Sequence, residues 1–141
     1  MTESRSLSYL LGIGVALEVP VGLGLLAVPS PLASLLLGAP LSGTGMVVAR
    51  LAGGGLLALG IACWFARSTP ITRAGLGVAG AFLIYNVVAC VTLAIGPPGS
   101  GSGALALGAA ILHGLLAVGL SGALIARNQR SEQHDSMESL Q

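Results

Sequence analysis

The stretch GMVVARLAGGGLLALGIACWFAR, residues 45–67, decides how the chain is read. It is apolar for about the 20 residues that a helix needs to cross a bilayer. One cation, Arg50, interrupts it, and it closes on Trp64 and Arg67, an aromatic and a cation of the kind that sit at a membrane surface. Stretches of similar length lie on either side and give spans at about 8–28, 45–66, 72–95 and 104–126. The predicted fold is all-α: an integral membrane, antiparallel four-helix bundle over residues 1–126. A polar tail, 127–141, is expected to be disordered beyond one continuing turn.

Composition agrees. The chain has 141 residues, 54% hydrophobic and 8% charged, where soluble domains carry about 25% charged residues. So little charge leaves no surface to show water, and lipid is the expected solvent for most of the chain. All six basic residues are arginines, scattered along the sequence, which excludes a nucleic-acid surface or a polybasic lipid patch. The 22 glycines follow no G-x-y period, so collagen is excluded. In membrane helices glycine lets backbones approach closely.

Arg5 ahead of an apolar run invites a secretory-signal reading. The run is too long for a signal core, Glu18 and Pro20 interrupt it, and no A-x-A site follows. It is read as span one, kinked at Pro20 with a carbonyl freed near Ala16. The uncharged segment PLASLLLGAPLSGTG, residues 31–45, is too short to span. With Ser30 as N-cap and Pro31 at the first helical position, Pro31–Leu37 is expected to form a short helix, interfacial or re-entrant. Gly96–Gly103, rich in glycine, serine and proline, reads as a flexible turn.

Charge orients the bundle. Arg5, Arg67, Arg73, Arg127 and Arg130 fall at the N-terminus, the second loop and the tail, and the first and third loops carry none. The positive-inside rule then puts both termini in the cytoplasm of a bacterial cytoplasmic (inner) membrane.

Four patterns carry no chemistry here. Gly75–Gly80 fits G-x-G-x-x-G, but a dinucleotide site needs a strand before it; close helix packing is the expected role. Gly119-Leu-Ser-Gly122 matches a pattern found in intramembrane serine proteases. Ser121 and the nearby His113 sit about 12 Å apart along one helix, too far for a nucleophile and its base. A membrane haem takes axial ligands from two helices, and His113 is the one histidine within a span, His134 being in the tail. Cys63 and Cys90 have no C-x-x-C spacing and should differ in depth by about 20 Å. No catalytic residue, metal site or cofactor is expected.

Four strongly polar residues remain inside the spans, one on each: Glu18, Arg50, Asn86 and His113. Counted from the span ends, all four fall in one band in the outer half of the bilayer. Tyr85 adjoins Asn86. Small residues share their faces: Gly14 and Gly22 with Glu18; Gly53, Gly54 and Ala58 with Arg50; Ala106, Ala110 and Ala117 with His113, approximately continued by Ser121. The Asn86 face is bulkier, with Phe82, Leu83, Ala89 and Cys90. Two readings stay open. One is a structural clamp, with Arg50 and Glu18 as an ion pair and Asn86 and His113 as hydrogen-bonding glue. The other is a polar pocket for a small molecule, a lipid head group, a quinone or a proton.

The runs Val48-Ala-Arg50-Leu-Ala-Gly-Gly54, Leu59-Gly60-Ile-Ala-Cys-Trp64-Phe-Ala-Arg67, Leu83-Ile-Tyr85-Asn86-Val and Leu112-His113-Gly114 resemble small uncharacterised bacterial membrane proteins of about this length. The general design resembles the broader DoxX-like group of four-helix membrane proteins. The resemblance covers spans two to four and implies the architecture. That group includes subunits associated with quinone-linked sulfur oxidation, but no residue set here carries over that activity. The expected function is non-enzymatic: a structural or accessory subunit, or a binder of a small apolar or quinone-like ligand, in contact with membrane lipid, alone, as a homo-oligomer or in a larger membrane complex. The alternative is a quinone-linked redox or proton-coupled transport component, with Glu18 and His113 carrying protons and Arg50 as an anion or carbonyl partner.

Overall fold

The computed structural model describes residues 2–96 and 103–138. Most of the turn expected at Gly96–Gly103, and the last three residues of the tail, lie outside them. The described residues form α1 (Thr2–Ala27), α2 (Pro29–Leu37), α3 (Gly43–Ala66), α4 (Arg73–Ile95) and α5 (Ala104–Glu138), with no strand among them. Four of these helices are long and apolar enough to cross a membrane: α1, α3, α4 and α5. The molecule is an all-α membrane bundle. Its outer faces carry Leu51, Phe65, Ile95 and Val118, each more than two-thirds exposed. Such a surface needs lipid around it.

Packing is uneven. α1 lies closest to α3, and α4 closest to α5; contacts between the two pairs are sparser. The pairs share a core in the half nearest the α3–α4 turn, where Leu7, Leu11, Cys63, Ala79, Phe82 and Leu120 are fully buried. Close approach of α1 and α3 rests on glycine. A Cβ on Gly22 would stand 2.8 Å from the Gly53 carbonyl oxygen and 2.8 Å from the Leu57 nitrogen. Small residues of this kind are how membrane helices pack without a hydrophobic driving force between them.

The α3–α4 connection is short and internally bonded. Thr72 caps α4 by accepting from the Gly75 N–H at 3.1 Å and donating to the Thr69 carbonyl at 2.8 Å. This gives part of the Gly75–Gly80 motif a different role from the one expected. A Cβ on Gly75 would collide with the Thr69 carbonyl oxygen and with Pro70, whereas Gly77 and Gly80 meet nothing within 4 Å. The first glycine serves the turn, and the others are not packed against another helix. Beside the turn, the Arg67 guanidinium stacks 3.6 Å over Trp64, and Ser8 of α1 donates to the Arg67 carbonyl at 2.7 Å.

α2 crosses the other end of the bundle, touching α1, α3 and α5. It begins two residues earlier than Pro31, with Val28 at the N-cap and no side-chain cap. Ser30 is used elsewhere: its Oγ accepts from the Leu41 N–H at 3.2 Å and ties the loop back on α2. Gly38 ends α2 in the left-handed region at φ 75°, a conformation glycine adopts without a Cβ penalty. The tail also departs from expectation. α5 continues through Arg127–Glu138 as helix. Extending an existing helix avoids the cost of nucleation, and Arg, Gln and Glu are good helix formers.

Candidate functional site: a polar group beneath an apolar cavity

Glu18, Tyr85, Asn86 and His113 come together, each carried by a helix whose register is set by neighbouring contacts. On α1, a Cβ at Gly14 would meet the Phe82 ring of α4 at 2.6 Å. α1 and α4 run parallel, so one turn further along each brings Glu18 level with Asn86. Glu18 is 2% exposed and Asn86 fully buried. The Tyr85 hydroxyl donates to the Glu18 carboxylate. Across α4 and α5, His113 Nδ1 lies 2.9 Å from Asn86 Oδ1, and the His113 and Tyr85 rings meet edge to face with centroids 5.6 Å apart. Asn86 Nδ2 donates to its own helix, at the Phe82 carbonyl, 2.7 Å away.

Arg50 does not join them. A Cβ on Gly60 would contact Val19 and Glu18, so Gly60 is the α3 residue level with Glu18. Arg50 stands ten residues before it, toward the start of α3, about 15 Å along the axis. It is exposed, and Glu18 Oε1 is left without a hydrogen-bond partner. An Arg50–Glu18 clamp is therefore absent. The reason is register: α3 starts beyond the end of α1, and α2 fills the space left over α1. The small face expected around Arg50 is also rotated. Gly53 and Gly60 are buried while Gly54 and Ala58 are exposed. On α5, Ala106, Ala110 and Ala117 are buried as a stripe through His113.

Reading by span missed two things. Cys63 is fully buried on the α3 face that meets α1, three residues after Gly60, the residue level with Glu18; the Gly53–Gly60 spacing on α3 points to it, once α1 is known to pack there. The second is a cavity of about 340 Å³ in the half of the bundle nearest α2. α1 contributes Val21 and Leu25, α2 Leu36, α3 Leu56, α4 Tyr85, Val88 and Ala89, and α5 His113. Val88 and Thr92 on its rim are exposed, so it is open sideways, toward lipid. The wall is apolar apart from Tyr85, Thr92 and His113. Among the described residues no three His, Cys, Asp or Glu side chains converge.

A carboxyl this buried with one free oxygen is costly when charged. Glu18→Gln keeps the shape and an acceptor for Tyr85 without the charge, and should leave thermal stability in detergent unchanged or higher. Glu18→Leu strands the Tyr85 hydroxyl and should cost about 1–3 kcal/mol. Equal losses in the two variants would mean that the charge has a partner of its own.

Compared with known proteins, the chain matches no family model, and no curated protein or solved structure is significantly similar to it.

Proposed function

We propose that the protein is a non-enzymatic component of the bacterial cytoplasmic membrane that takes a small lipid-soluble molecule into the cavity between its two helix pairs. The observation that carries this reading is the cavity itself: about 340 Å³, with Tyr85 and His113 on a wall that is otherwise apolar save for Thr92 at the rim. Ligand sites combine apolar surface with a few placed polar groups and begin at about 300 Å³. Fully buried Asn86 and the Glu18–Tyr85 bond hold those two polar groups from behind. Kinship with DoxX-like proteins belongs to the same proposal, for architecture alone.

A membrane-soluble alkyl diazirine tests it. On irradiation, label should concentrate on the α4 segment 85–93 and be displaced by excess unlabelled probe. Label spread evenly over lipid-facing residues such as Leu51 and Val118, with no displacement, would count against a binding cavity.

The orientation is part of the proposal and rests on Arg5, Arg67, Arg73, Arg127 and Arg130 lying at one end. A green fluorescent protein fused after Gln141 should fluoresce, and alkaline phosphatase fused at Pro40 should be active. The reverse pair of results would invert the bundle.

A further inference from the structure

His113 indicates what the head of the bound molecule must carry; this step rests on the cavity being a binding site, as proposed above. The Asn86 amide is fixed by its own helix, since Nδ2 donates to the Phe82 carbonyl. That turns Oδ1 toward His113 Nδ1. An amide oxygen can only accept, so Nδ1 carries the ring proton, and in an imidazole with one ring proton Nε2 is a bare acceptor.

Nε2 has no partner among the described residues. Nor is it sealed away, because the one buried side-chain nitrogen or oxygen left unpartnered among them is Glu18 Oε1. His113 lines the cavity, so the Nε2 lone pair faces space that a ligand can fill. The other polar side chains on the wall are Tyr85, whose hydroxyl is engaged with Glu18, and Thr92, which stands exposed on the rim. His113 lies nine residues inside the start of α5, about 13 Å along the axis. A head group held at the surface does not reach it.

We propose that the cavity selects a lipid-soluble molecule whose polar group is a hydrogen-bond donor, a phenol or an alcohol, with that hydroxyl donating to His113 Nε2 and the apolar body lying along Val21, Leu25 and Leu56. A molecule bearing acceptors alone, such as a quinone, ketone or ether, leaves Nε2 desolvated and unpaired. Sites built to hydrogen-bond a hydroxyl discriminate strongly against analogues that lack it.

The test uses the full chain in phosphatidylcholine nanodiscs, whose head groups offer no hydroxyl. Para-heptylphenol and its methyl ether are titrated calorimetrically against it, with empty discs subtracted. The expected result is saturable binding of both, the phenol about tenfold tighter or more. In His113→Phe the phenol should fall to the affinity of the ether, which stays as it was. Equal binding of the two probes by the unmodified chain overturns the donor rule and leaves the cavity reading standing. Failure of both to bind overturns the cavity reading and this inference with it. Should His113→Phe not fold, the nitrogen-15 resonance of His113 Nε2 decides: the phenol must move it upfield and the ether must not. Repeating the titration in phosphatidylglycerol discs separates sources of the donor. Unchanged phenol affinity assigns the site to free amphiphiles, and competition by the disc assigns it to a lipid hydroxyl.

Discussion

Gly53→Leu is expected to cost about 3 kcal/mol or more, enough to disassemble α1 from α3 in detergent. A Cβ at Gly53 would stand 2.8 Å from the Gly22 carbonyl oxygen and 2.9 Å from Leu25 Cβ. The first of these neighbours is backbone, so no rotamer change relieves it. The whole helix must move, and the Glu18–Gly60 level, the Tyr85 bond and one wall of the cavity move with it. Gly54→Leu is the control. It sits one position away, and a Cβ there meets nothing within 4 Å. Thermal or denaturant unfolding of the two variants checks the prediction. Equal stability would mean that the α1–α3 register is wrong, and with it the exclusion of Arg50 from the polar group.

Ala89→Phe is expected to abolish saturable labelling, lowering affinity for any occupant by at least about tenfold, without loss of stability. Ala89 is half-buried on α4 and lines the cavity. Enlarging a residue in a filled core usually costs about 1–3 kcal/mol through strain. Here the ring has about 340 Å³ to enter, so it gains packing where the unmodified chain has none. The two readouts together are informative. Lost labelling with unchanged or raised unfolding temperature identifies the space as a site. Lost labelling with lowered stability would mean that the cavity collapses around its filler and that its volume is not held open by the fold.

Much of this architecture is legible in the residues alone. Four spans follow from apolar length, and the boundaries at Ala66, Ile95 and Ala104 agree with the helix ends. The small-residue stripe through His113 is legible because alanines at helical spacing beside one polar residue have a single physical use, a seam. Glu18, Asn86 and His113 meet at one level because each sits nine residues from the end of its helix on the α2 side of the bundle, before Ala27, before Ile95 and after Ala104. Arg50 shows the limit. Depth counted from span ends assumes that the ends are flush, and α3 overhangs α1. That stagger is set by which glycine meets which backbone, Gly22 against Gly53 and Leu57, and pairing of that kind is not written along either strip of sequence. The same holds for Ser30, whose hydroxyl suits an N-cap but finds the Leu41 N–H instead. The cavity was illegible for a related reason. It is a gap between two pairs, and no residue type marks where atoms are missing.

The unequal pairing of helices has a consequence for how the protein is made. α1 and α3 complete their closest contacts with residues up to Ala66, all of which leave the ribosome before α4 does. The first half can therefore dock in the membrane as a finished unit while the second is still being synthesised, joined to it by no more than the Arg67–Thr72 turn. α4 and α5 form the second unit. The cavity belongs to neither half, and it comes into existence at the last step of assembly, when Tyr85 reaches Glu18 and the two halves meet. Occupancy by a lipid-soluble molecule would then report that the bundle is complete, and co-expressed halves, severed in that turn, should recover the site only by finding each other.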